Sequence, residues 1–314
     1  MDDLALSTSY FAGRRLTPAA MAAAVRAFGL ARVELGYLTR ETEVDAWEDA
    51  CAAEGLTVGS VHAFCPASVA DPFPGPETFS LAEPDGARRA AAVRAALATL
   101  DCAVRFGARA VVMHGGRVAL RRPRLLLGSV PYRSRLSEAF AARGGRPDHD
   151  LAGQERAWRE EAAGAWVDAL SFSLDALLPR FEAAGVALAF ENLPGLEAFP
   201  DPAELDFLRR RFPSPCLGAW YDVGHGERKA RVGDWPQAET LALLGGCTFG
   251  AHLHDVAGLE EDHRAPGEGG VDWEALRPLL ARPGLLRVLE PAPDVSAEAL
   301  RRGIAFLRAF FGET

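Results

Sequence analysis

Short runs of β-branched, aromatic and leucine residues alternate along this chain with longer Ala/Leu/Arg stretches of helical spacing. The short runs predict strands near 4–8, 31–36, 56–62, 109–114, 186–192, 217–222, 248–254 and 285–290. The stretches between them predict helices over 18–28, 41–54, 86–106, 153–184, 202–211, 235–244, 272–281 and 296–311. Local signals support these boundaries. Thr17-Pro18 and Asp201-Pro202 each join a capping side chain to a proline at the first helical position. Gly29, Gly55, Gly107 and Gly185 follow helical runs, where a left-handed cap is expected.

Eight strand–helix units, with no linker, repeat or low-complexity tract between them, predict an α/β fold: a closed (β/α)8 TIM barrel forming one domain over residues 1–314. An open doubly wound sheet would carry a glycine-rich phosphate turn after its first strand, and STSYFAGRRL is no such turn. The alternation breaks over residues 115–152, an arginine-rich stretch after the fourth strand. It is expected to be a long loop insertion over the barrel mouth, serving either as a lid or as a mobile, interface-forming element.

The polar residues that end the apolar runs carry the chemistry. His62 ends the third predicted strand, His114 the fourth, Glu191 the fifth, Asp222 the sixth, His252 the seventh and Glu290 the eighth, with His225 in the turn after Asp222. A barrel presents these strand ends in one mouth. Each ionisable group buried there alone would cost several kcal/mol unless paired or metal-bound, so imidazoles and carboxylates together point to a divalent metal held by nitrogen and oxygen. Glu191, Asp222, His252 and Glu290 come from four successive strands and can converge on one ion. His62, His114, His225 and His263 are candidates for further ligands or for hydrogen bonds to substrate hydroxyls. His254 shares a face with His252 but falls near the turn, where a structural role with Asp255 is equally good. Phe11, Phe64, Trp220 and Trp273 could wall a sugar ring or pack the core, and Arg117 and Arg264 could grip a phosphate or carboxylate.

Composition narrows the classes. No apolar run approaches the roughly 18 residues of a membrane span. The acidic start MDDLALSTSY lacks the charge pattern of an export signal, so a cytoplasmic location is expected. The 5 cysteines form no CxxC pair, which fits reduced thiols and argues against thiolate metal binding. A net charge of -9 argues against a nonspecific nucleic-acid binder. Lys229 is the only lysine and lies in the polar stretch GERKARVG, which argues against Schiff-base chemistry.

Taken in order, SVHAF, VVMHGG, FENLPG, DVGH, HLHD, DHRAPGEGGVDW and VLEP resemble the xylose-isomerase-like TIM-barrel superfamily, which includes sugar-phosphate isomerases and epimerases together with the endonuclease IV enzymes. The resemblance spans the chain apart from residues 115–152. In the epimerase branch it implies one manganese-like ion on Glu191, Asp222, His252 and Glu290, with the two glutamates as the acid/base pair. In the endonuclease IV branch it implies three zinc ions on His62, His114, Glu191, Asp222, His225, His252, His263 and Glu290, plus an aspartate two residues before the last histidine. Glu261 stands at that position and Asp262 beside it, so the ninth ligand is shifted or replaced. No counterpart of the DNA-inserting loop residues is evident.

The leading expectation is therefore a divalent-metal-dependent isomerase or epimerase of a small sugar or sugar-like substrate, working through an enediolate. Mn²⁺ or Zn²⁺ is the expected ion, with Mg²⁺ or Co²⁺ as substitutes. His114, His225, Arg264, Trp220 and Phe64 are the expected substrate contacts, and the resemblance implies pairing into a homodimer. A multinuclear-zinc phosphodiesterase is the alternative, followed by a metal-binding barrel with a lyase or non-catalytic role.

Overall fold

The computed structural model describes residues 4–119, 132–259 and 261–312, with the side chains of residues 132–134 left aside. Eight parallel strands close into a barrel: Leu4–Ser7, Arg32–Leu35, Thr57–His62, Ala110–Met113, Ala187–Glu191, Leu217–Asp222, Thr248–Leu253 and Leu286–Leu289. Each pairs with its sequence neighbour, and the first closes on the eighth in the register Leu4↔Arg287, Ala5↔Val288 and Leu6↔Leu289. All eight strands lie where the apolar runs predict them.

The helices between them are α1 (Pro18–Ala27), α2 (Val44–Glu54), α3 (Gly86–Phe106), α4 (Tyr132–Ala142), α5 (His149–Ala184), α6 (Pro202–Arg211), α7 (Val223–Arg231), α8 (Gln237–Leu244), α9 (Trp273–Leu280) and α10 (Ala297–Phe311). The Thr17 and Asp201 side chains accept hydrogen bonds from Ala20 N and Glu204 N, and Glu204 returns the bond in a capping box. Gly55, Gly107 and Gly185 adopt the left-handed cap conformation. None of the described helices is long and apolar enough to cross a membrane.

Two differences from the sequence reading bear on the site. The stretch 115–152 is not an unbroken loop. Gly116–Arg117 pairs with Ala198–Phe199 in a short antiparallel ribbon, YRSRLSEAFAA forms α4, and Asp148 caps α5 so that it starts at His149 rather than near 153. Good helix formers between the arginines account for α4. A lid role for residues 120–131 lies outside the described residues. The second difference is α7, which replaces a turn after the sixth strand.

Side-chain alternation divides the barrel into two apolar regions. One lies between strands and helices. The other fills the interior with Ala5, Ala110, Val112, Ala187, Ala189, Trp220, Leu286 and Val288. Small residues dominate the second because Trp220 occupies the centre. A Cβ at Gly250 would stand 2.2 Å from the Trp220 ring, so the neighbouring strand must carry glycine there. Continued two residues toward the mouth, the same alternation reaches Ser7, His114, Glu191, Asp222, His252 and Glu290. The apolar plug thus forms the floor of a polar pocket.

Candidate metal centre

His252 stands at the middle of this pocket. Its Nδ1 lies 3.1 Å from Glu290 Oε2, 3.5 Å from Glu191 Oε2 and 3.7 Å from Asp222 Oδ2. That nitrogen is buried and makes no hydrogen bond. Ligand atoms about 2.0–2.2 Å from a shared ion sit roughly 3.0–3.6 Å from one another. The Glu290 and Glu191 distances from His252 Nδ1 fall in that range. The mutually close ligand atoms divide into two adjoining groups, His62 with His252 and Glu290, and Glu191 with Asp222 and His225. The donor set also fits the group: one imidazole and three carboxylates suit Mn²⁺, Mg²⁺ or Zn²⁺.

The imidazole is fixed from behind. Its Nε2 lies 3.1 Å from Glu34 Oε1, and Glu34 Oε2 accepts the Ser60 hydroxyl at 2.7 Å. Both side chains are fully buried. A carboxylate holding the far nitrogen of a histidine sets its tautomer and makes the near nitrogen a better ligand. Burial pushes the Glu34 carboxyl up, but His252 and Ser60 outweigh it and leave it below the usual range.

Glu191 is the most heavily shared carboxylate. Its Oε2 lies 3.1 Å from His62 Nε2 and 3.3 Å from His114 Nε2, and its Oε1 lies 3.2 Å from His225 Nδ1. His62 Nδ1 donates to the Ala63 carbonyl at 3.1 Å, which turns Nε2 toward the carboxylate. A ring nitrogen and a carboxylate this close in a dry pocket need a proton or a cation between them. Burial opposes ionisation of Glu191, yet His252, His114 and His225 hold it well below the ordinary carboxylate value. Burial likewise opposes charge on His225, but Asp222 and Glu191 push its pKa up to about 10.

A second cluster lies on the α7 side. Asp222 caps α7, accepting His225 N at 2.7 Å, and so places His225 in the first turn. His225 Nδ1 is 3.1 Å from the Asn192 carbonyl and His263 Nδ1 is 2.8 Å from the Glu290 carbonyl, which leaves each Nε2 uncommitted by these bonds. His263 holds φ at +54°, the only described non-glycine residue in the left-handed region, a conformation that costs about 1–2 kcal/mol. His225, His254, Asp262 and His263 bring ligand atoms within 4.8 Å of one another. His254 has both nitrogens engaged: Nε2 lies 2.8 and 2.9 Å from the two Asp222 oxygens, and Nδ1 accepts His263 N at 3.1 Å. It therefore orients Asp222, leaving His225, Asp262 and His263 as donors. Asp262 Oδ2 is in turn paired with Arg228.

Several sequence expectations are redirected. Glu261 is exposed and pairs with Arg264 at 3.2 Å, and the neighbouring Asp262 is the carboxylate that faces the histidines. In the ribbon formed by Asp255–Ala257 and Glu261–Arg264, adjacent side chains point to opposite faces, so a shift of one residue exchanges inside for outside. Arg264 lines an outer cavity of about 500 Å³ with Glu261, Asp262, Glu268 and Asp294, so carboxylates surround it. Trp220 is fully buried, edge-on to His252 at 5.2 Å, and forms floor rather than wall. Phe64 is buried against Phe79, and Trp273 against Phe306 and Phe310. Arg117 is held by Glu77 at 2.8 Å and Glu197 at 2.5 Å.

Tyr37, which the sequence reading passed over, stands two residues beyond the second strand. It meets the His62 ring edge-on, with centroids 5.5 Å apart. Burial first, then the nearby carboxylates of Glu290 and Glu191, push its pKa up to about 12.

An eight-stranded barrel with a buried imidazole–carboxylate cluster at the C-terminal ends of its strands defines the class. The chain belongs to the xylose isomerase-like TIM barrel family, whose model matches residues 22–310. Solved structures of similar fold include a 3-keto-D-glucoside 4-epimerase, YcjR, from E. coli, at 14% identity, covering 98% of this chain and 99% of that one with a TM-score of 0.67. A D-psicose 3-epimerase with D-tagatose from Clostridium cellulolyticum is 13% identical, covers 98% of each chain and has a TM-score of 0.62. The TTHB071 protein from Thermus thermophilus, soaked with zinc chloride, is 21% identical, covers 99% of each chain and has a TM-score of 0.58. No curated protein matches the chain by sequence.

Proposed function

We propose that this protein is a divalent-metal-dependent isomerase or epimerase acting on a small sugar or sugar-like substrate. The observation that carries the reading is the bare Nδ1 of His252 facing carboxylates from three other strands. A divalent ion held by Glu191, Asp222, His252 and Glu290 would supply Lewis acidity toward a substrate carbonyl and its neighbouring oxygen. Glu191 and Glu290 flank His252 from different strands, and their oxygens move the proton on the carbon beside that carbonyl. One removes it and the other returns it. Trp220 and the alanines beneath keep water from the pocket floor. The names of the epimerases that share the fold support a ketose-type substrate.

The test is solvent exchange. Manganese-loaded protein incubated in deuterated water with D-psicose, D-tagatose and D-fructose should incorporate deuterium beside the carbonyl. Loaded protein that exchanges none of them overturns the reading.

The second cluster supports another reading, a multinuclear-metal phosphodiesterase in which several ions hold a phosphate and activate water. His62, His114 and Glu191 form one group of close ligand atoms, and His225, Asp262 and His263 belong with His254 to another. Elemental analysis separates the two: one ion per chain favours the isomerase, and two or three zinc ions favour the hydrolase.

A further inference from the structure

A sugar pocket requires two things that the groups described above supply only in part, the Nε2 atoms of His225 and His263 being the ring nitrogens they leave free. One is an apolar surface for the C–H face of the substrate. Trp220 lies beneath the polar layer and Phe64 packs away against Phe79. The other is a hydrogen-bond donor free to meet a substrate oxygen. Arg117, Arg228 and Arg264 each sit against a carboxylate, and His254 has both nitrogens engaged.

Tyr37 meets both requirements. It follows the second strand at the mouth, is half-buried, and turns its ring edge-on to His62 at 5.5 Å. Its hydroxyl makes no hydrogen bond among the described residues and is not sealed from solvent, so it is open to a ligand. The phenol lies in the field of Glu290 and Glu191, the two carboxylates assigned to proton transfer. Among the described residues Trp220 Nε1 also lacks a partner, but that ring is fully buried in the floor beneath the polar layer and cannot line the open side of the pocket.

We propose that Tyr37 contacts the substrate directly, its ring walling the pocket and its hydroxyl donating a hydrogen bond to a substrate oxygen. The inference rests on the sugar-isomerase reading and names the residue that would recognise the polyol. A phenol keeps its proton at neutral pH, so it acts as a donor in the resting site.

The experiment compares wild type, Tyr37→Phe and Tyr37→Ala, each loaded with manganese. Binding of D-psicose, D-tagatose and D-fructose is measured by calorimetry, with kcat and KM for whichever is turned over. Tyr37→Phe removes one donor and should raise Kd and KM about tenfold, with kcat within ~twofold. Tyr37→Ala removes the wall as well and should raise them about a hundredfold. Metal content and Tm of the Phe variant should match wild type, which separates substrate contact from a structural role. A sugar bound by wild type and by Tyr37→Phe with equal affinity overturns this inference alone. A wild-type protein that binds none of the three overturns the functional reading and this inference with it.

Discussion

Glu34 and His252, 218 positions apart in the chain, are joined by a 3.1 Å contact between Oε1 and Nε2 in a fully buried setting. The contact turns His252 so that Nδ1 faces Glu290, Glu191 and Asp222. Replacing Glu34 with Gln keeps the shape and removes the charge that makes the imidazole a strong ligand. Manganese affinity, read by competition with a chelator, should fall by about 10–100-fold. Unchanged affinity would show that Glu34 merely fills space.

Glu34 also shows where sequence reading stops. The barrel, its eight strands and six strand-end ligand candidates were legible because apolar runs and their polar terminators have a fixed relation to the mouth. Glu34 was missed because it lies inside an apolar run, RVELG, rather than at its end. Strand alternation was the available signal: Val33 and Leu35 face the helices, so the residue between them must face the barrel interior. The choice between Glu261 and Asp262, and the role of His254, stayed open for a different reason. They depend on how the loop after the seventh strand folds back, and neither helical nor strand periodicity reports that. Asp148, which starts α5 early, was hidden by the arginine-rich stretch around it.

That fold-back is controlled by Asp255. Its carboxylate accepts Val256 N, Gly267 N, Val271 N and Trp273 Nε1, at 2.9, 2.9, 3.0 and 3.1 Å. Asp255→Ala leaves buried donors unpaired and should cost about 3 kcal/mol or more, seen as a lower denaturant midpoint. Gly269→Ala acts on the same knot, since its Cβ would lie 2.2 Å from Asp255 Oδ1 and 2.6 Å from the Val256 carbonyl. Both variants should destabilise the protein. A stable Gly269→Ala would mean that the loop is held elsewhere.

The charge balance sets a pH dependence for protein freed of metal. His225 is raised to about 10, and His252, His254 and His114 are also raised, by carboxylates that outweigh burial. A raised histidine contributes stability that is complete below its unfolded value of about 6.5 and disappears as pH climbs through the folded value. Glu34, Glu191 and Asp222 are lowered, so their contribution is complete above about pH 4.5 and disappears in acid. Chelated protein should therefore have its highest Tm near pH 5–6.5 and lose stability from there toward pH 10. A bound ion replaces those protons, so manganese affinity should rise with pH as the histidines deprotonate. A metal-free Tm that rises steadily from pH 6 to 9 would contradict the assignment.

Glu290 is the carboxylate whose removal should separate binding from chemistry. Glu290→Gln keeps an oxygen beside His252 Nδ1, where Oε2 now stands at 3.1 Å. Deuterium incorporation into a substrate ketose should fall by about 10²-fold or more, the usual weight of a positioned acid or base. Metal should still bind, more weakly. Full exchange activity in this variant would remove Glu290 from proton transfer and leave it as a ligand only.

His263 decides between the two readings of the pocket. Its left-handed backbone and its Nδ1 bond to the Glu290 carbonyl aim the imidazole at His225 and Asp262 rather than at His252. If the central four residues suffice, His263→Ala should leave manganese content and ketose exchange within ~threefold of wild type, because one retained ion keeps the Lewis acid and its orientation. If the cluster is a working metal site, the same change should lower bound zinc by about one ion per chain, since a three-donor site that loses an imidazole keeps too few ligands. It should then abolish hydrolysis of a phosphodiester such as bis(p-nitrophenyl) phosphate while leaving the fold intact. The Arg228–Asp262 pair favours the first result, because a guanidinium already neutralises the carboxylate that a further ion would need.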